Sequence, residues 1–232
     1  PILVETPSVA AITALLEKTA RSIEDCTAIL RRMGERCDPY IYNERVRIFM
    51  SGWTADGMPP EGLAYEGVPA TAPPPPLPAQ EEEEATTTTR QQILRWRTEC
   101  YYGETGAQSS VVPALDAALG VGFSQDELLP YLLAMRDYMP QRHADFVRAL
   151  EKTRPSLRET VLSSDDEALR HSYNRCIEGL SAFRKLHFEL AYTYVRQWDK
   201  RPDEEIKGTG GTPFMPYLKK HRRDRKSTRL NS

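Results

Sequence analysis

The stretch CIEGLSAFRKLHFELAYTYVRQW, Cys176 to Trp198, decides the fold. Cys176, Leu180, Phe183, His187, Leu190, Tyr194 and Trp198 follow one another at steps of three and four. That spacing draws one stripe along an amphipathic helix, and a histidine sits in the middle of it. Upstream, SSDDEALRHSYNR offers Ser164 as a cap and acidic residues for the first turn. The pattern predicts a helix from about Asp165 to Trp198, roughly 50 Å long at 1.5 Å per residue.

Working outward, residues 8–34 predict another helix, capped by Ser8 and keeping its period through Ile12, Leu15, Leu16, Ile23, Cys26, Leu30 and Met33. YIYNERVRIFMSG (40–52) reads as a shorter one. A glycine-containing loop, GETGAQSS, feeds a helix from about Ser109. SQDELLPYLLAMRDYMP predicts a helix with Ser124 and Glu127 as a capping box. PQRHADFVRALEK predicts one with Pro140 in its first turn. After Trp198 comes a loop, then a terminal helical turn. No repeat and no convincing strand alternation is visible, so the fold class is all-α.

Hydrophobic residues make up 40% of the 232 and mean hydropathy is -0.56, ordinary for a soluble globular chain. No run approaches the 18 apolar residues of a membrane span, and PILVETPSVAAITALLEK is not a secretory signal. Four cysteines without a CxxC pair suit a reducing cytoplasm. The first residue is Pro, so the chain is expected to begin mid-protein. The net charge of -2 divides unevenly: residues 1–218 hold 24 Lys/Arg against 32 Asp/Glu. An acidic body argues against nucleic acid as a partner. DRKSTRLNS, residues 224–232, is the translation of a common sequencing-adapter sequence and is set aside as non-native. The organisation expected is one helical domain over 1–223, interrupted by VPATAPPPPLPAQEEEEATTTTRQ. That segment, 68–91, is too polar and Pro-rich to offset its ordering entropy and reads as a disordered surface loop.

His187 has two readings. A core histidine would bond one ring nitrogen to a nearby carbonyl. A haem ligand would aim a neutral nitrogen at iron from an apolar wall. Arg184, one turn earlier, suits an anionic propionate or snorkels to solvent. GTGGT (208–212) permits close backbone approach to a ligand, but it lacks the spacing of a phosphate loop. Arg45 or Arg47 could meet a carboxylate bidentately, against the default of surface pairing. His143 and His171 lack a partner at metal-ligand spacing and read as structural.

RIFMSGW (47–53), YEG (65–67), GAQSS (106–110), MRDYMP (135–140), FRKLH (183–187) and KGTGGT (207–212), in this order, resemble the indoleamine 2,3-dioxygenase family. The resemblance spans Arg21 to about Lys220 and corresponds to the C-terminal part of that family's large helical domain. It implies a haem b enzyme that opens the indole ring of L-tryptophan or related indoleamines with O2, giving N-formylkynurenine in the kynurenine pathway. It also implies a monomer supplied by an electron donor. His187 would be the proximal iron ligand. Arg184 would approach a haem propionate, supported by Asp116. Arg47, rather than Arg45, would bind the substrate carboxylate, and Tyr42 would line the indole pocket. Thr105 and Gly106 would border haem and substrate, and Thr209 would lie on a loop closing over them. No residue is implied as an acid–base catalyst.

Two other functions fit parts of the pattern. A haem-retaining sensor of the same fold would need no carboxylate clamp, so Arg47, Tyr42 and Thr209 favour the enzyme. A helical interaction module could offer PPPPLP to an SH3 or WW domain. The N-terminal portion of the family pattern is missing, so the chain alone is expected to bind haem poorly.

Overall fold

The structure, a computed structural model, describes residues 7–53, 62–69, 96–121, 129–214 and 230. Helix α1, Val9–Arg31, begins where the Ser8 hydroxyl accepts from Ala11 N at 3.2 Å. The cap expected there satisfies one of the donors a helix start leaves open. The helix expected over 40–52 is broken into three pieces. Asp38 accepts from Ile41 N at 3.0 Å and opens α2, Pro39–Ile41. A single π turn follows over Tyr42–Val46, then α3, Arg47–Met50.

Strand β1, Leu63–Pro69, pairs antiparallel with β2, Trp96–Glu99, setting Leu63 opposite Glu99 and Pro69 opposite Trp96. This hairpin corrects two expectations. GLAYEGVP shows no period-2 alternation and its partner lies far along the chain, so neither strand is announced by pattern. Val68 and Pro69, expected in the disordered loop, belong to β1, where Pro69 stands opposite Trp96. Residues 70–91 of that loop lie outside the described residues, as do the Ser124–Glu127 box and the terminal helical turn. Otherwise the described chain is helical.

Helix α4 is Val111–Ala118, and α5, Leu129–Ala134, runs into a 3-10 turn over Met135–Tyr138. Helix α6, Gln141–Lys152, has Pro140 just outside it, its carbonyl accepting from His143 N at 2.8 Å. Helix α7, Leu157–Leu162, is a separate element that apolar spacing did not set apart. It is fixed by a capping box: Ser156 Oγ accepts from Glu159 N, and Glu159 Oε2 accepts from Ser156 N at 2.7 Å.

The long helix, α8, is Glu167–Tyr194, roughly 42 Å at 1.5 Å per residue. Its cap is Asp166, which accepts from Leu169 N at 2.8 Å, and not Ser164, whose hydroxyl accepts from Asp166 N instead. It stops at Tyr194, because Val195 leaves helical geometry and Arg196–Trp198 form a 3-10 turn. Trp198 therefore falls off the stripe and lies edge-on to Tyr40 at 5.6 Å.

The core lies between α1 and α8. Leu16, Ala20 and Ile23 meet a fully buried row of Tyr173, Cys176, Ile177 and Leu180. Burying each large apolar side chain stabilises by about 1.5–3 kcal/mol. Gly179 brings the helices together: a Cβ there would sit 3.1 Å from Ile23 Cγ2. Buried polar groups on the seam are bonded, Thr27 Oγ1 to Ile23 O at 2.8 Å and Tyr173 OH to Leu119 O at 2.5 Å. Leu230, from the segment set aside, packs on this core. Its backbone exchanges two bonds with the Asn174 amide, at 2.9 and 3.0 Å. An apolar side chain with a carboxamide to pair its backbone is held there whatever its origin. Among the described residues no helix is long and apolar enough to cross a membrane, and all four cysteines are free thiols.

Candidate functional site

Beyond Leu180 the inner face of α8 turns toward open space. Phe183, Arg184, His187, Leu190, Ala191 and Tyr194 instead line a cavity of about 1420 Å³. Most small-molecule sites occupy roughly 300–1,000 Å³, so this one has room for a large ligand and a second molecule. The other walls come from the end of α1, from α2–α3, from Glu104–Ser109, from α4, from α5, from the end of α6 through α7 and from the glycine loop. All eight residues singled out from the sequence (Tyr42, Arg47, Thr105, Gly106, Asp116, Arg184, His187 and Thr209) line it. Arg45 is exposed, His171 is exposed, and His143 shares a 3.0 Å hydrogen bond with Ser110 at the surface.

The surface His187 retains faces into the cavity. Surrounding protein lowers its pKa to about 4, with the neighbouring Arg184 charge adding to the effect. The imidazole is therefore neutral at physiological pH, with a ring nitrogen able to donate an electron pair. Arg184 is 9% exposed and Asp116, on α4, is 1% exposed. Their nearest charged atoms, Arg184 Nη2 and Asp116 Oδ2, are 3.7 Å apart. A buried cation is thus balanced by a buried carboxylate one helical turn from His187.

The π turn gives Tyr42 and Arg47 a common face. Arg47 N donates to Tyr42 O, the i→i+5 bond of a widened turn. Residues five apart, which diverge on an α-helix, here stand one above the other. Tyr42 is half-buried, its phenol pushed up mainly by burial, and meets Tyr194 edge-on at 5.6 Å. Arg47 Nη2 donates to Lys207 O, joining the arginine to the base of the glycine loop.

That loop is a closed turn. Gly208 N donates to Thr212 O and Gly211 N to Gly208 O, both at 2.9 Å, with Gly211 at φ +82°. Thr209 Oγ1 donates to Glu104 O, and Gly52 N donates to Thr209 O at 3.4 Å. Gly52 and Gly103 pack back to back, where a Cβ on either would overlap the other's backbone. Three distant segments, around Gly52, Gly103 and Thr209, are knotted together at the cavity wall because two of them lack side chains.

With this geometry in hand, comparison with known proteins is specific. The family model for indoleamine 2,3-dioxygenase matches residues 3–228. The chain belongs to that family. It is 32% identical over 230 residues to indoleamine 2,3-dioxygenase 1 of Mus musculus, covering 93% of this chain and 50% of the mouse protein. It is 32% identical over 226 residues to indoleamine 2,3-dioxygenase 2 of Homo sapiens, covering 92% and 49%. It is 27% identical over 236 residues to 6-hydroxytryptophan 2,3-dioxygenase of Fusarium equiseti, covering 92% and 51%. The chain therefore spans about half the length of these relatives.

For an indoleamine 2,3-dioxygenase family chain, two features of the wall went unpredicted. Tyr131, on α5, meets the glycine loop, and its only signal was a polar group inside the apolar run LLPYLLA. Arg136, within the quoted MRDYMP, pairs through both terminal nitrogens with the Glu151 carboxylate. Only the arginine itself was visible in sequence, since its partner lies on another helix.

Proposed function

We propose that this chain forms the iron-ligating side of a haem-dependent dioxygenase that opens the indole ring of L-tryptophan, or of a related indoleamine, to the N-formylkynurenine type of product. The observation that carries the reading is a neutral imidazole in one large, mainly apolar cavity, with Arg184 one helical turn away and Arg47, from a different wall, among the five arginines that line it. Among the described residues no cluster of three or more His, Cys, Asp or Glu could hold a bare metal ion. One imidazole fits a metal whose remaining ligands arrive with it, as in a porphyrin. Arg184, balanced by Asp116, fits an anionic propionate beside it.

Bound haem would supply the O2 activation and oxygen insertion across the indole C2=C3 bond. The chain's own residues bind, orient and exclude water. His187 would hold the iron. A guanidinium has five N–H donors, enough for Arg47 to hold the Lys207 carbonyl and a substrate carboxylate together. Tyr42, on the same face of the π turn, would flank the indole. Thr105, Gly106 and Thr209 would close the remaining side. The reading calls for an electron donor to keep iron ferrous and for a monomer. Four free thiols suit a cytoplasmic setting. A relative named for 6-hydroxytryptophan keeps substituted indoles among the candidate substrates.

The test is a hemin titration of the chain followed at the Soret band, beside His187→Ala. Weak but saturable one-to-one binding, lost in the variant, is expected. Equal binding by both proteins would remove His187 as ligand.

A further inference from the structure

We infer that Tyr131 is a positioning residue that latches the glycine loop, Gly208–Thr212, against the Thr105 segment at the cavity wall. This deepens the function proposed above and rests on it only for what the cavity holds. The Tyr131 hydroxyl lies so close to Gly210 that a Cβ at that position would overlap it. The same Cβ would lie 3.3 Å from Thr105 Cβ and Cγ2. The hydroxyls of Thr105 and Thr212, one on each side of the junction, draw the phenol's pKa down against the larger upward push of burial. Thr105 Oγ1 already accepts from Ala107 N at 3.3 Å, which leaves its own O–H to donate to Tyr131.

The phenol is aimed by two further tyrosines. Tyr102 meets the Tyr131 ring edge-on at 5.4 Å and the Tyr138 ring at 6.0 Å. Tyr102 N in turn donates to Tyr138 OH at 3.0 Å. Burial raises the Tyr131 phenol above its ordinary range, so it keeps its proton, and its donor, at neutral pH. The loop's internal bonds make it a unit, and a unit with few external ties swings as one when a tie is cut. Its ties run to Glu104 and Gly52, to Arg47 at its base, and to Tyr131. Among these, Tyr131 reaches the far end of the turn, at Gly210 and Thr212.

Amide hydrogen exchange on the full chain tests the latch without any ligand. Tyr131→Phe keeps the ring and should raise exchange at Gly208, Gly211 and Gly52 by several-fold to about tenfold, the scale of one lost hydrogen bond. Amides of α1 and α8 should not change. Unchanged protection at the loop amides would overturn the latch. Gly210→Ala should loosen the loop in the parent and much less in Tyr131→Phe, where the overlapping oxygen is gone. Additive effects would overturn the claim that the loop is fitted round that oxygen. With hemin bound, Tyr131→Phe should also weaken L-tryptophan binding through faster release. Loop loosening by Tyr131→Phe in a chain that binds neither hemin nor tryptophan would uphold the latch and tell against the proposed function.

Discussion

From Leu169 to Leu180 the inner face of α8 is sealed against α1, and from Phe183 to Tyr194 the same face lines a cavity. The apolar period is unbroken across the join, so spacing defines a face but not what covers it. The polar residues on that face make the difference. In the first half they are few and bonded, as Tyr173 is to Leu119 at the end of α4, and Gly179 lets the backbones close. The second half carries Arg184 and His187, side chains a dry helix–helix seam would not satisfy. A stripe that turns polar without ending its period marks the place where a partner other than a helix belongs.

The two halves should respond differently to the same truncation. Leu180→Ala should cost about 2–5 kcal/mol, because it opens a void in a closed seam. Leu190→Ala should cost less than about 1 kcal/mol, because its side chain already borders open space. Urea unfolding of both variants decides this, and equal losses would erase the distinction. Next in size, Asp116→Asn keeps the shape but strips Arg184 of its counter-charge, and should lower stability by about 1–3 kcal/mol. An unchanged midpoint would show that the charge of the cavity half is balanced elsewhere. The smallest effect is on reactivity alone. Cys176 lies in the sealed seam with its thiol pushed up to about 11, chiefly by burial, while Cys26 is exposed. An alkylating reagent at pH 8 should label Cys26 in the native protein and Cys176 only in urea. Labelling at one pace would mean the seam opens.

The helical class, the Ser8 cap and the face of α8 were legible because each is local: a hydroxyl before an apolar period, and a repeat of three and four. The gathering of His187, Arg184, Asp116, Arg47 and Tyr42 round one cavity came from ordered short motifs, not from periodicity. The π turn was invisible, since nothing in YNERV signals a bond from Arg47 N to Tyr42 O. The choice between Ser164 and Asp166 as cap was a contest between two good capping residues two positions apart, settled by tertiary packing. Ser156 and Glu159 did carry a capping signal, but α7 is too short to show a period. The β1–β2 hairpin and the Tyr131 contact pair residues distant in sequence, which a local reading does not reach.

The hairpin also has a bearing on how this chain tolerates change. Pro69 and Trp96 stand opposite each other in its ladder, so the chain leaves the ladder and rejoins it at one spot. Where the ends of a connection are already held together, each doubling of its length costs only about 0.6 kcal/mol. The ladder therefore sets a tolerance by its own closure: a change in chain length between its two paired ends should cost it little, because the pairing and not the length holds those ends together.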